Sequence, residues 1–140
     1  MRYWVYTIGH FDEAPPFEWL SEWQWHRREM WFPRTKRPAS ISEGDRAVIY
    51  GSQGRGFLAA VEVVGRTPEP NEDDEHRDRF PWVRRHRLLA AKACDGNVAS
   101  PESAGINTKR IQRGPHTEIS PDEYARAVDA LLDAARRTAT

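Results

Sequence analysis

A chain of 140 residues with 21 basic and 21 acidic side chains has no formal net charge and is long enough for one domain with a buried core. Neutrality excludes a strongly basic nucleic-acid binder, and the single Cys94 excludes an internal disulfide or a Cys-based zinc site. No apolar run approaches the roughly 20 residues of a membrane helix, so we expect a single domain over residues 1–140, cytoplasmic and without membrane association.

The first 38 residues predict a strand, a short helix and a loop. RYWVYTI (2–8) is β-branched and aromatic and ends at Gly9, which is typical of a strand. APPFEWLSEWQWH (14–26) has prolines suited to a helix start, followed by apolar residues at helical spacing. The stretch 25–38 has no clear period and is expected to be an ordered loop.

The middle of the chain predicts a hairpin and one further strand. AVIY (47–50) and FLAAVEVVG (57–65) flank the glycine-rich GSQGRG, a composition suited to a tight connection. The acidic, proline-containing stretch 67–78 is expected to be a surface loop. FPWVRRHRLLAA (80–91) can form one strand, and an irregular connection is expected to follow it. TKRIQRGPHTEI (108–119) is expected to be a short polar segment with a turn at Gly114-Pro115.

The C-terminal segment carries the clearest local signal. Ser120 suits an N-cap, Pro121 the first helical position and Glu123 the partner of a capping box. The residues expected on the packed face of this helix are Tyr124, Val128, Leu131, Leu132 and Ala135. The order strand, helix, strands, helix indicates an α+β domain around a curved sheet.

The usual signatures of catalysis and metal binding are missing from the sequence. None of the five histidines is paired at helical metal-site spacing, and no serine lies in a nucleophile elbow. GSQGRG precedes a predicted strand, whereas a phosphate-binding glycine loop precedes a helix. We therefore predict no catalytic residue, no metal and no cofactor.

The stretch MWFPRTKRP (30–38) places Trp31 beside several cations. A ring held next to arginines can stack on a nucleic-acid base or surround a methylated one. Packing of the same ring against the core is the alternative. The residues alone leave both interpretations open.

The order of several sequence segments resembles that of the EVE domains. These segments are RYWVYTI, a loop Trp beside a Pro, ISEGDRAVIYGS, FLAAVEVVG, PWVRRHRL and RIQRGPHTEISPDEYARAVDALL. The EVE domains belong to the PUA-like superfamily and are relatives of the YTH readers. The resemblance covers nearly the whole chain. It implies a mixed, barrel-like sheet of five to six strands flanked by short helices and a C-terminal helix. It also implies a pocket at one end that accepts a modified, for example methylated, base.

The resemblance also implies which residues form this site. The family's loop Trp corresponds to Trp31, which would be the wall of the base pocket. The other pocket positions are Thr7, Ile8, Gly9, Pro33, Tyr50 and Ser52. The positions expected to contact phosphate are Arg34, Lys36, Arg37, Arg110, Arg113 and His116. Thr7-Ile8 replaces a common Lys-Ser, and Trp31-Phe32-Pro33-Arg34 lacks the family's Gly; both changes concern the identity of the ligand.

The function predicted from these residues is a non-catalytic module that binds DNA or RNA carrying a modified base. A separately encoded partner enzyme would be compatible with such a module. The alternatives are a small hydrolase or a metabolite-binding protein that uses the same pocket. The hydrolase would need a Lys or Glu close to a Ser or Thr, and the three lysines lie outside the predicted strands.

Overall fold

The computed structural model describes residues 1–8, 29–32, 41–51, 56–72, 78, 81–91, 99–111 and 116–139. Its strands are β1 (Tyr3–Ile8), β2 (Glu29–Phe32), β3 (Arg46–Gly51), β4 (Gly56–Val63), β5 (Glu69–Pro70), β6 (Trp82–Ala91) and β7 (His116–Ile119). A 3₁₀ helix spans Pro101–Ala104, and the α-helices are α1 (Thr108–Ile111) and α2 (Pro121–Ala139).

Six strands lie side by side in the order β2-β6-β4-β3-β1-β7, and the two-residue β5 pairs with β6 beside this row. β1 runs parallel to β3 and antiparallel to β7, so the sheet is mixed. The sheet curls into a half-barrel, with a few short helices and the C-terminal helix. The predicted α+β class and barrel-like sheet are confirmed.

The alternation of side chains along the strands divides the core into two clusters. One, here called the tryptophan face, contains Trp4 and Tyr6 of β1 with Ala47, Ile49, Val61 and Val63, and Trp82 packs against it. The other, here called the helix face, contains Val5 and Tyr50 together with Ile111, Tyr124 and Ala127 from the helices. Neighbouring residues of β1 therefore serve opposite sides of the sheet.

The predicted start of the C-terminal helix is confirmed in its hydrogen bonds. The Glu123 N–H donates to Ser120 Oγ over 3.0 Å, and the Ser120 N–H donates to Glu123 Oε1 over 2.9 Å. These two reciprocal bonds form a capping box, which satisfies backbone donors that the first helical turn leaves free.

Ser120→Ala is expected to lower the free energy of unfolding by about 1 kcal/mol, because it removes the side-chain acceptor of the cap. Ser120→Asp keeps an acceptor at this position and should stay close to the wild type. Urea denaturation of the three proteins measures the difference. Equal losses in both variants would contradict a capping role for the Ser120 side chain.

Four expectations about individual segments are wrong. Glu29–Phe32, inside the predicted loop, is a strand because its backbone pairs with β6; four residues are too few to show a period. Glu69–Pro70, inside the predicted acidic loop, pairs with β6 as well. His116–Ile119 forms β7, a strand with little apolar alternation, since only Ile119 is fully buried in it. Leu132, placed on the packed face, is 36% exposed.

Four predicted strands are confirmed, and one predicted helix lies outside the described residues. β1, β3, β4 and β6 confirm the four predicted strands, and each end agrees within about two residues. The predicted helix within residues 14–26 lies outside the described residues. In the described part of the chain, no helix is both long and apolar enough to cross a membrane.

Candidate nucleic-acid interface

A buried carboxylate fixes the start of β1 and β3. Gly44 has φ +89°, and the turn it forms directs Asp45 inward. The Asp45 carboxylate accepts hydrogen bonds from the backbone N–H groups of Arg2 and Ser42, each over 2.9 Å, and from Trp4 Nε1 over 3.0 Å. Burial raises the pKa of Asp45, but these three donors outweigh burial and lower the pKa below its ordinary value. Asp45 thereby holds the indole of Trp4 in place.

The carboxyl ends of the parallel strands β1 and β3 bring three predicted pocket residues together. Thr7 pairs with Tyr50, and Ile8 pairs with Gly51. Both Thr7 and Tyr50 are buried, and the Thr7 hydroxyl donates to the backbone carbonyl of Ile111 over 3.2 Å. Burial raises the pKa of Tyr50, as does the neighbouring Glu102 carboxylate. The structure therefore groups Thr7, Ile8 and Tyr50 at one end of the sheet, next to α1.

Arg110 of α1 and His116 of β7 are the two predicted phosphate contacts that the structure describes, and they have different neighbours. Arg110 Nη1 lies 2.6 Å from Glu123 Oε2, and Arg110 Nη2 donates to the Glu118 carbonyl over 2.8 Å. Arg110 thus joins α1 to the start of α2. His116 pairs with Tyr6 across β1 and β7, and its ring lies 5.4 Å from that of Trp4 on the tryptophan face.

Trp31 is a strand residue whose backbone pairs with that of Val83 on β6. β2 is at one end of the strand row and β7 at the other. The role of Trp31 as a pocket wall stays a prediction. The remaining predicted site residues lie outside the described part of the chain: Gly9, Pro33, Arg34, Lys36, Arg37, Ser52 and Arg113.

Arg84 is a buried cation that the sequence reasoning did not single out. It is 1% exposed, and its Nη2 donates to the Gly65 carbonyl over 2.9 Å. Burial lowers the pKa of Arg84, and the negative charges of Asp45, Glu43 and Glu69 oppose that change. A signal was available in WVRRHR: with alternating orientation, Arg84 falls on the same side of β6 as the aromatic Trp82, which packs against the tryptophan face.

The exposed arginines of β6 are engaged with carboxylates. Arg85 Nε lies 3.0 Å from Glu69 Oε2, and Arg87 Nη2 lies 3.1 Å from Glu62 Oε2. Together with Arg110, they show that the described surface cations are partly neutralised by neighbouring acids. The described residues contain no group of three His, Cys, Asp or Glu side chains that could hold a metal ion.

Solved structures of other proteins have a fold similar to that of this chain. No protein-family model matches the sequence. The YTH domain of Mmi1 in complex with RNA matches 98% of this chain and 81% of its own, with a TM-score of 0.66 and 13% identity. This chain shares its fold with that domain. A protein from Rhodopseudomonas palustris matches over 94% and 93% of the two chains (TM-score 0.58, 14% identity). A Leishmania major protein matches over 95% and 96% (TM-score 0.57, 15% identity).

One curated relative is named as an enzyme. An aminoglycoside 3'-phosphotransferase from Streptomyces ribosidificus is 30% identical over 100 residues, which are 69% of this chain. The matched part of this chain spans 38% of the length of that relative.

Proposed function

We propose that this chain is a non-catalytic module that binds DNA or RNA and accepts a modified base in an aromatic pocket. The observation that carries this proposal is the match of 98% of the chain to a YTH domain in complex with RNA. The resemblance of the sequence to the EVE domains, which are relatives of the YTH readers, supports the same proposal independently.

The pocket is assigned to the end of the sheet where β1 and β3 finish. Thr7 and Tyr50 are paired there, and Ile8 and Gly51 follow them. Trp31 supplies the stacking ring, which requires the curl of the half-barrel to bring β2 toward this end, because β2 pairs with the beginning of β6 and is separated from β3 by β6 and β4. Gly9, Pro33 and Ser52 complete the lining. A base on an aromatic ring gains roughly 1–3 kcal/mol, and a buried methyl adds about 0.8 kcal/mol.

Extrusion of a base costs a few kcal/mol, so contacts to phosphate have to contribute to the affinity. We assign these contacts to Arg34, Lys36, Arg37, Arg110, Arg113 and His116. For Arg110 this requires it to leave the surface ion pair with Glu123. Pairs of this kind contribute about 0–1 kcal/mol, so phosphate can compete with the carboxylate.

Titration of fluorescently labelled single-stranded oligonucleotides, measured by anisotropy at moderate salt, tests the proposal. Plain, methylated and hydroxymethylated strands of one sequence are compared, as DNA and as RNA. Tighter binding of one modified strand is expected, together with weak, salt-sensitive binding of the plain strand, because the chain is neutral overall. Equal binding of all strands, or tight binding of plain duplex that persists at high salt, would contradict a modified-base pocket.

A small-molecule function of the same pocket, as a hydrolase or a metabolite-binding protein, is the alternative. The observation that favours it is the partial match to an aminoglycoside 3'-phosphotransferase. Calorimetric titration with kanamycin, with and without ATP, distinguishes the two proposals. Saturable binding of kanamycin without binding of any oligonucleotide would favour the alternative.

A further inference from the structure

A groove of about 510 Å³ lies between α2 and the sheet, on the helix face. It is lined by Tyr3 and Arg46, which are paired at the beginning of β1 and β3. Thr7 and Tyr50 are paired at the other end of the same strands, four residues or about 13 Å away. The groove is therefore separate from the proposed base pocket.

The guanidinium of Arg46 at this groove has hydrogen-bonding capacity that its neighbours leave unused. Arg46 Nη2 lies 3.8 Å from Glu62 Oε2, which is longer than a hydrogen bond. Its Nε is buried without a hydrogen-bond partner, and its positive charge opposes the rise in the pKa of Tyr124 that burial causes. Because the side chain is 41% exposed, its outer N–H groups can reach a ligand in the groove.

The charged groups beside the groove come from three strands and from α2. Arg46, Glu62 and Arg87 are in register across β3, β4 and β6. Arg87 Nη2 lies 3.1 Å from the same Glu62 oxygen, so two guanidiniums share one carboxylate. Asp129 also lines the groove, but it is exposed on α2, and no ion pair links it to Arg46 among the described residues. With Asp129 counted, the two guanidiniums and the two carboxylates balance, so the unused N–H groups of Arg46, rather than a net charge, favour a carboxylate in the groove.

The walls of the groove are apolar and include two large side chains that the core does not cover. Leu89 is 39% exposed and Leu132 is 36% exposed. The pairing of β4 with β6 shifts by one residue between Ala60 and Val61. Leu89 is the residue of β6 that this shift leaves without a partner on β4. Irregularities of this kind redirect a side chain, here toward the groove. Val128 of α2 continues the apolar wall.

We propose that this groove binds a small amphipathic carboxylate, with the carboxylate on Arg46 and the apolar chain along Leu89, Val128 and Leu132. An arginine presents two parallel N–H groups that match the two oxygens of a carboxylate. The groove volume falls within the roughly 300–1,000 Å³ of small-molecule pockets. The mixture of apolar walls and a single accessible cation matches the two parts of such a ligand.

Titration with octanoate, followed by ¹H–¹⁵N NMR, tests the proposal. Octanoate should cause saturable shifts at residues of the groove and bind at least about tenfold more tightly than 1-octanol or acetate. Each of these two probes carries only one part of the octanoate molecule. Binding of octanol as tight as that of octanoate, or no saturation by octanoate, would overturn the proposal.

Two variants separate the contributions of charge and apolar contact. Arg46→Gln removes the cation, and Leu132→Glu places a repelling carboxylate at the edge of the groove; each should weaken octanoate binding about tenfold or more. Leu132→Glu also serves if Arg46→Gln fails to fold, because Leu132 is already partly exposed.

Leu88→Glu is the matched control, since Leu88 is 46% exposed and pairs with Val61 of the tryptophan face. Octanoate should bind this variant within about twofold of the wild type, because surface changes away from a site have small effects. Equal weakening by Leu88→Glu and Leu132→Glu would overturn the proposal.

Discussion

Trp31→Ala is expected to remove the preference for a modified oligonucleotide and to weaken its binding about fivefold to a hundredfold. The physical reason is the loss of one base–ring stacking interaction, which contributes roughly 1–3 kcal/mol. Anisotropy titration of the modified and the plain strand, with wild type and variant side by side, measures both the preference and the affinity.

Trp31→Phe is the matched control for this prediction. It keeps an aromatic surface at the same position of β2, so most of the preference should remain. Circular dichroism shows whether each variant is folded, since β2 is paired with β6. A folded Trp31→Ala protein that still prefers the modified strand would contradict the assignment of Trp31 as the pocket wall.

Asp45→Ala is expected to lower the free energy of unfolding by about 3 kcal/mol, and the melting temperature by on the order of 10 °C. The Asp45 side chain is buried and accepts three hydrogen bonds, from Arg2 N–H, Ser42 N–H and Trp4 Nε1. Removal of the carboxylate leaves Trp4 Nε1 without its acceptor in the core and the two backbone donors without theirs in partly buried positions. A buried donor without a partner is one of the few mechanisms behind large losses of stability. Thermal unfolding and urea denaturation measure the effect.

Glu43→Gln is the matched control, because Glu43 is an exposed carboxylate in the same turn. Its effect should stay within about 0.5 kcal/mol, as for most surface substitutions. A similar loss in both variants would show that the turn, rather than the buried acceptor, determines the stability.

The lowered pKa of Asp45 also predicts a pH dependence. The unfolded chain titrates near the ordinary value of 3.8, and the folded chain titrates below it. The stabilisation is therefore complete above that value and is lost as the pH falls through the pKa of the folded state. Urea denaturation between about pH 6 and about pH 2.5 should show a smaller decrease in the free energy of unfolding for Asp45→Asn than for the wild type, because the variant has no carboxylate to protonate at this position. Identical pH profiles would contradict this role of Asp45.

Local features were predictable because they depend on residues that are close in sequence. Ser120 and Glu123 are three positions apart, and both bonds of their capping box were readable from this spacing. β1, β3 and β4 were predicted from β-branched and aromatic runs. β7 was missed because it is a polar strand at the end of the row, where the pairing with β1 decides its conformation.

The candidate site depends on contacts between distant parts of the chain. Thr7 and Ile111 are 104 positions apart, and the alignment of Thr7 with Tyr50 depends on the parallel register of β1 and β3. The resemblance to the EVE domains named these residues without their geometry. The groove beside Arg46 had no local signature, since it arises where several strands and α2 meet.

The sequence by itself determined the α+β class, the main strands, the hairpin and the capped C-terminal helix, because hydrophobic periodicity and capping act over a few residues. Only the tertiary structure decided that Asp45 holds Trp4, that Thr7 lies beside Tyr50 and that Leu132 borders a groove. These features depend on strand register and on the placement of α2 over the sheet, and such long-range packing leaves no periodic trace in the sequence.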